Sequence, residues 1–422
     1  MSKILDVYLR DTKAGELVQD DDGGLAFAYV SEYLASKEAQ AISASMPLQE
    51  EPYADRVAQA YFAGLLPDES ARQRLARALG VSESNSFGLL EVIGGECAGA
   101  LTLMPAGQPS QNALTWAGQQ AQPLSQTRLA EILALLRSRP LLGGMLGVRM
   151  SLAGAQDKLA VCVVDGHVAL ATDGQPTTHI LKPHIEGLAG TIENEVFCMR
   201  LAKKAGLMAP GVSKGRAGKT DYYLIERYDR TIDSAGLVNR VHQEDFCQAL
   251  GIAPQFKYED EGGPSVQQSL ALLRSNARAP AAQTITFLRM LMFHFLIGNA
   301  DAHGKNYALL YRTNAPDLAP VYDALCTAAY PSITKRLAMS IGQRHLPDTI
   351  HLKHWRTLVP DTAPAQRLLR QEMLAMTQNV LSASEELARE LRDEGIDHPI
   401  IRKIQKVIKK RAGHLAHSLR DS

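Results

Sequence analysis

The stretch FLIGNADAHGKNYALL, residues 295–310, starts apolar, breaks into Asn299, Asp301, His303, Lys305 and Asn306, and then turns apolar again. Polar groups with an apolar approach on both sides belong at the end of a core element, facing a cleft, because burying them unpaired costs free energy. The run before them, AAQTITFLRMLMFHFLIG (281–298), is hydrophobic nearly all round. That pattern predicts a long helix in the middle of a helical lobe. The polar cluster sits where this helix stops.

Spacing gives the cluster its chemistry. Asp301 and Asn306 are five residues apart, and Asp323 follows in PVYDALC (320–326), after a segment patterned as a hairpin. In protein kinases a catalytic-loop Asp, an Asn five residues on and a later metal-binding Asp follow a strand lysine far upstream. Lys182 in HILKPH (179–184) stands where that lysine belongs, so the chain order matches. Phosphoryl transfer asks a protein mainly for positioning and charge neutralisation. Asp301 suits the group that accepts or orients the proton of an attacking hydroxyl. Asn306 and Asp323 offer hard oxygen donors for Mg²⁺, and Lys182 a cation for the phosphates of ATP. Glu195, on the next helical segment, is the candidate to orient Lys182, and His303 either orients the loop or caps its turn. Taken singly, each has a plain reading: a chance spacing, a surface lysine, a solvated glutamate, and for His294 a core histidine. The order of the set carries the argument.

Working outward, KLAVCVV (158–164), HVALA (167–171), THILKP (178–183) and YYLIERY (222–228) read as strands. One helix, IENEVFCMRLAKKAGL (192–207), lies between the third and fourth, the layout of a small sheet carrying one helix. From about residue 242 the pattern is mostly helical, in HQEDFCQALG (242–251), SVQQSLALLRS (265–275) and the segments after residue 363. Near the start, ILDVYLR (4–10) and GGLAFAYV (23–30) flank an Asp/Gly-rich turn, and DESARQRLARALG (68–80) has a helix's acidic start and Gly stop. The stretch MPAGQPSQNALTWAGQQAQPLS (104–125) reads as a linker and the best domain boundary. The expected division is 1–104, a linker and helix over 105–140, a small lobe over 141–235 and a helical lobe over 236–422. The fold class is α+β.

Composition narrows the field less. With 45 basic and 45 acidic residues in 422, no global field favours nucleic acid or an anionic membrane. Five cysteines without a C-x-x-C pair fit a reducing compartment and argue against a zinc site. No segment reads as a signal peptide or a membrane span, so a cytoplasmic location is expected.

Two loops carry phosphate-like signals. SKGRAGKT (213–220) nearly fits the Walker pattern, but Ser213 stands in place of the first Gly and a strand-like segment follows where a helix should open. It reads as a hairpin turn. MSLAGAQDKLAV (150–161), just before a strand, has the small residues that let backbone N–H groups approach phosphate oxygens.

Together, SLAGAQDKLAV, HILKP, NEVFCMRLAKKAGL, LIERYDR, HQEDFCQALG, GNADAHGKNYALL and VYDALCTAAYP resemble, in order and spacing, the HipA family of serine/threonine kinase toxins from bacterial toxin–antitoxin pairs. PLQEEPYADRVAQAYFAGLLPDE (47–69) and GECAGALTLMP (95–105) are similar to that family's amino-terminal module. The resemblance covers almost the whole chain. It implies a two-lobed protein-kinase-like fold using ATP and Mg²⁺, with Asp301 catalytic, Asn306 and Asp323 on the metal, and Lys182 on the phosphates. It further implies that Gly154, Ala155, Gln156 and Lys158 cover ATP, that the backbones of Glu226 and Tyr228 receive the adenine, and that Asp229 lies near the ribose. Ser151 would be a site of autophosphorylation and an off switch. Asp157 stands where glutamate is common, with the charge kept. The implied partners are a HipB-like DNA-binding antitoxin, operator DNA mainly through it, and a translation protein such as an aminoacyl-tRNA synthetase as substrate. The basic segment IIRKIQKVIKKRAGHLAHSLR (400–420) reads first as an amphipathic cover of the large lobe and second as a nucleic-acid contact. A small-molecule phosphotransferase and a catalytically idle partner of a repressor are the alternative functions, because nucleotide-site residues do not read the acceptor.

Overall fold

The computed structural model describes residues 2–110, 121–171 and 175–420. It divides into two compact units, the first comprising Met1–Pro183, Gly215–Gln255 and Leu309–Pro316, the second His184–Lys214, Phe256–Ala308 and Asp317–Ser422.

In the first unit, strands β1 (Lys3–Leu9), β2 (Thr12–Gln19), β3 (Leu25–Tyr29) and β4 (Leu101–Pro105) form an antiparallel sheet in the order β3-β2-β1-β4. The Asp/Gly turn works as expected. Asp20 Oδ1 accepts from the N–H of Gly24 at 2.7 Å and of Asp22 at 3.0 Å, closing the β2–β3 connection. Helix α1 (Glu69–Leu79) stops at Gly80, in the left-handed region at φ +67°. Strands β5 (Leu159–Val164), β6 (His167–Ala169), β7 (His179–Pro183), β8 (Val212–Ala217) and β9 (Thr220–Glu226) make a second sheet in the order β6-β5-β7-β9-β8. The Walker-like stretch is the β8–β9 hairpin, turning at Gly218 with φ +58°.

One apolar cluster runs across the expected boundary near residue 104. Leu5, Val7, Phe27, Phe62 and Leu103 share one apolar cluster with Leu159, Val161, Leu181 and Tyr222. Polar, Pro-rich composition marks irregular backbone; it does not mark where burial stops. Of the predicted linker, residues 111–120 lie outside the described residues. The unit also continues past residue 235 to Gln255. There HQEDFCQALG is not one helix: His242–Asp245 is extended, and only Phe246–Ala249 turns helical, capped by Asp245 and Gln248. Glu244 explains the departure. Its carboxylate is buried and accepts from Ser43 Oγ at 2.5 Å, Ala44 N–H at 2.9 Å and the Tyr311 hydroxyl.

The second unit is built on α2 (Thr191–Lys204), α3 (Val266–Asn276), α4 (Pro280–Ile297), α5 (Ala363–Asp393) and α6 (Pro399–Arg420). Helix α4 starts on Pro280 and is buried through most of Phe287–Ile297, packed against α3, α5 and α6. By length and apolar composition alone, this helix could cross a membrane, contrary to the expectation that no segment would; its partners make it a core helix. Helix α2 belongs here and not with the sheet that flanks it in sequence, since its partners are α5 and α6. Arg200–Glu394 at 2.7 Å and Lys204 with Glu386 and Glu390, each at 2.8 Å, add ion pairs to that packing. Helix α6 turns Ile400, Ile401, Ile404, Ile408 and Leu415 inward, so the basic C-terminal segment covers the unit with its apolar face.

Burial depresses the pKa of His242 and His294 to about 4 each, while burial of Glu244 outweighs its hydrogen bonds and raises it to about 7. The imidazoles contribute stability above pH 6.5 that is lost as pH falls toward 4; Glu244 contributes below pH 4.5 and loses it as pH rises through 7. Two groups outweigh one. Urea unfolding should show stability falling by roughly 1–3 kcal/mol between pH 7 and pH 5. Glu244→Gln should steepen that fall, and a midpoint unchanged over this range would contradict the burial argument.

Candidate active site

The polar cluster is a loop built around the end of α4. Gly298 caps the helix at φ +74°, and a Cβ there would lie 2.6 Å from Val407 Cγ1 and 2.9 Å from Ala328 Cβ, so only glycine fits. Asn299 Oδ1 accepts the Asp301 N–H at 3.0 Å, and its amide meets His294 Nδ1 at 3.1 Å; His294 is the bonded core histidine of its plain reading. Thr327 Oγ1 accepts the Ala300 N–H at 2.8 Å and donates to the Gly298 carbonyl at 3.1 Å. The Asn306 side chain accepts from the His303 N–H at 3.3 Å, closing a single 3₁₀ turn over Gly304–Asn306. Ala300, Ala302, His303, Gly304 and Lys305 are buried, while Asp301 and Asn306 keep partial exposure. A loop held this way presents two side chains and little else.

Asp323 also keeps partial exposure, and its backbone lies in the left-handed region at φ +50°. Aspartate tolerates that region better than most residues, and such strain gathers at functional sites. The hydroxyl of Tyr322 donates to the Lys305 carbonyl at 2.7 Å, which joins the segment bearing Asp323 to the one bearing Asn306. Downstream, Asn194 of α2 grips the chain: its Nδ2 donates to the Cys326 carbonyl at 3.0 Å, and its Oδ1 accepts the Cys326 N–H at 2.7 Å. Asn194 was missed in the sequence, although an amide on the inward face of an amphipathic helix is a signal. Its neighbour Glu195 is buried in the second unit, whereas Lys182 belongs to the first.

Among the described residues no group of three or more His, Cys, Asp and Glu could hold a metal. Asn306 and Asp323 fit Mg²⁺ all the same. They supply two hard oxygen donors, and Mg²⁺ takes its remaining positions from water and phosphate. A zinc site would need nitrogen or sulfur donors that this loop does not present.

The first unit carries the other predicted residues. Lys182 is buried on β7 opposite Tyr223 of β9, its Nζ 5.5 Å from that ring's centroid. The loop before β5 is wired to the N-terminal segment, which the sequence did not reveal. Ser151 is fully buried, its Oγ donating to the Leu65 carbonyl at 2.7 Å and its N–H to the Glu96 carbonyl at 2.8 Å. Asp68 N–H donates to the Gly154 carbonyl at 3.1 Å, and Asp157 pairs with Arg74 of α1 at 2.5 Å. Gly154 sits at φ +110°, where a Cβ would lie 2.4 Å from Lys158 Nζ. That ammonium donates to the Ala153 carbonyl at 2.7 Å, and Gln156 Nε2 reaches the Pro183 carbonyl at 3.2 Å, tying the loop to the end of β7 beside Lys182. Ala155 lies between them, half-buried.

Residues 150–387 match the HipA-like C-terminal domain, and residues 5–104 match the HipA N-terminal domain. The chain belongs to the HipA family. Y4mE of Sinorhizobium fredii is 42% identical over 391 residues, covering 93% of this chain and 92% of that one. The serine/threonine-protein kinase toxin HipA of Shewanella oneidensis is 29% identical over 359 residues, covering 82% and 80%. The solved complex of Shewanella oneidensis HipA with HipB and operator DNA has a HipA-like chain matching at TM-score 0.83 and 25% identity, covering 99% of this chain and 98% of that one. The kinase-like fold expected from the sequence is therefore present.

One residue carried over from the HipA likeness, Asp229, sits in a buried ion network. Strand β9 ends at exposed Glu226, and Tyr228 is half-buried, but Arg227, Asp229 and Arg230 turn inward. Asp229 accepts from Arg227 Nε at 3.0 Å and Nη2 at 2.7 Å, from Arg230 Nη1 at 2.9 Å, and from the Gly99 N–H at 2.7 Å. Glu96 Oε1 completes the network, 2.8 Å from Arg230 Nη2 and 3.0 Å from the Thr177 N–H. Burial alone would raise the pKa of Asp229, but the two guanidiniums outweigh it and hold the carboxyl well below its usual range. Its carboxylate holds 227–230 against 96–99. Asp229→Asn should cost about 3–5 kcal/mol by urea unfolding, because it leaves buried guanidiniums uncompensated. ATP affinity measured per folded molecule in the same variant separates the network role, which predicts little change, from the expected ribose role, which predicts weakened binding.

Proposed function

We propose that this HipA-family protein is an ATP- and Mg²⁺-dependent serine/threonine protein kinase acting as the toxin of a toxin–antitoxin pair. The observation that carries the reading is the loop at the end of α4. It is an otherwise buried segment that keeps Asp301 and Asn306 accessible and is bonded to the segment carrying strained Asp323.

Each residue then has a task. Asp301 accepts the proton of the acceptor hydroxyl as its oxygen bonds to the γ-phosphorus, while the bond from that phosphorus to the β–γ bridging oxygen breaks and ADP leaves. Asn306 and Asp323 would hold Mg²⁺, which would neutralise charge on the phosphate oxygens when bound. Lys182 does the same for the phosphates nearer the base, and residues 154–158 offer backbone N–H groups to the triphosphate. The backbones of Glu226 and Tyr228 are suited to the adenine edge. Glu195 is the weaker candidate to orient Lys182, and His303 supports the loop.

Ser151 is the proposed site of self-modification. A phosphate there carries about −1.5 to −2 charge at neutral pH. A group of that charge and size has no place where Ser151 now sits, so the loop must leave the Leu65 carbonyl before or as it is modified. The modified loop would no longer cover ATP. A HipB-like DNA-binding antitoxin is the proposed partner, supported by the solved Shewanella oneidensis complex with HipB and operator DNA. A translation protein of the aminoacyl-tRNA synthetase type is the proposed substrate.

The test is incubation of unmodified protein with Mg²⁺ and ATP beside Asp301→Asn, read by intact and peptide mass spectrometry. Wild type should gain phosphate on Ser151. Asp301→Asn should bind ATP yet transfer on the order of 10²–10⁴-fold more slowly. No phosphate in either protein would remove the self-phosphorylating kinase.

A further inference from the structure

A side chain that neither the motif spacing nor the family likeness points to reaches the catalytic carboxylate. The hydroxyl of Tyr258 donates a hydrogen bond to Asp301 Oδ1 at 2.8 Å. Its ring meets His303 edge-on, with centroids 5.2 Å apart and planes at 84°, and Lys257 Nζ lies 5.4 Å from the ring centroid. The backbone around it is fixed on both sides. Gly304 N–H donates to the Lys257 carbonyl at 3.2 Å, Gly263 N–H to the Tyr258 carbonyl at 2.8 Å, and Glu259 N–H to the Ala338 carbonyl at 3.1 Å. Ala338 N–H in turn donates to the Ala300 carbonyl at 2.8 Å, next to Asp301. The Glu259 carboxylate accepts from Ser340 Oγ at 2.9 Å and from the Ser340 N–H, so the third segment is locked as well. Three stretches of the second unit, 257–263, 300–304 and 338–340, form one hydrogen-bonded circuit around Asp301. Tyr258 is its side-chain contact with the carboxylate.

From this geometry we propose that Tyr258 is a positioning residue for phosphoryl transfer, holding the Asp301 carboxylate through Oδ1 so that it meets the acceptor hydroxyl in one orientation. The proposal rests on the reading of Asp301 as the proton acceptor. A carboxylate on a single-residue stem rotates about two side-chain bonds, and a fixed donor at one oxygen removes that freedom before substrate arrives. His303 then has a defined use: its ring edge supports the tyrosine. A different arrangement would make the same contact inhibitory. A tyrosine on a mobile strap could place its hydroxyl where the acceptor's belongs, but the backbone bonds on both sides of Tyr258 favour a permanent part of the site.

The experiment measures the initial rate of phosphate gain on Ser151 against Mg·ATP concentration, starting from unmodified protein, which gives a maximal rate constant (kcat) and a KM for ATP, for wild type, Tyr258→Phe, Asp301→Asn and the double variant. Phenylalanine keeps the ring against His303 and removes the hydroxyl alone. Tyr258→Phe should lower kcat about 10-fold or more with the KM for ATP unchanged, and should have no further effect in the Asp301→Asn background, because the two act as one unit. Thermal unfolding of Tyr258→Phe should match wild type, and its failure to fold would make the hydroxyl structural and overturn the inference. So would an unchanged kcat, a changed KM at constant kcat, or additive losses in the double variant. A raised kcat would show that the hydroxyl blocks the acceptor and would overturn it in the other direction. Wild type without turnover would remove the kinase reading itself, and this inference with it, whereas turnover in wild type with any of the other outcomes removes this inference alone.

Discussion

Everything in the second unit follows from how an apolar helix ends inside a core. The last carbonyls of α4 and the chain that leaves it cannot be solvated, because Phe293, Leu296 and Ile297 are buried on all sides. The chain therefore turns at a glycine too crowded for any side chain and is met by hydrogen-bond partners from several segments: Asn299 from within, Thr327, Ala338 and Lys257 from elsewhere. Each partner that satisfies a buried backbone group also fixes a coordinate of Asp301 or Asn306. Order in this loop is a by-product of solving a desolvation problem.

The first unit solves a different problem with charge. Its four- and five-stranded sheets share an apolar cluster, but residues 96–99, 177 and 227–240 meet through carboxylates and guanidiniums that are almost wholly buried. Such a network contributes little net stability over apolar packing, yet breaking one member is expensive. That asymmetry suits a junction whose register must not slip, since Glu226 and Tyr228 flank Arg227 and inherit its placement.

The legible part of this protein was what repeats along the chain or recurs at fixed spacing. The central helix, its glycine stop, the β8–β9 hairpin and the order of Lys182, Asp301, Asn306 and Asp323 were all visible because local pattern determines them. Tyr258 and Asn194 were not, because each acts on a residue 43 or 132 positions away, and the one local sign, an amide on the inward face of α2 at Asn194, does not say what it grips. Packing partners were hidden for the same reason: α2 follows a strand in sequence but packs on α5 and α6, and 242–245 are extended because Glu244 is bonded from Ser43 and Tyr311. Burial and hydrogen bonding across long sequence separation overrode the helical signal of HQEDFCQALG.

The loop before β5 shows what such long-range contacts can add to a site whose residues are otherwise familiar. Ser151, Gly154 and Asp157 are tied respectively to Leu65, Asp68 and Arg74, three points on a single short segment ahead of and within α1. None of these bonds is strong alone, and the Arg74–Asp157 pair is part-exposed and open to screening. Their value lies in acting on the same loop, because releasing one bond leaves the others to restore it. A charge added at Ser151 would act on all three together, since the serine could no longer enter its buried position and the residues that follow it would be drawn away with it. The N-terminal segment thus holds the loop at three points, and the buried hydroxyl of Ser151 makes one of those bonds.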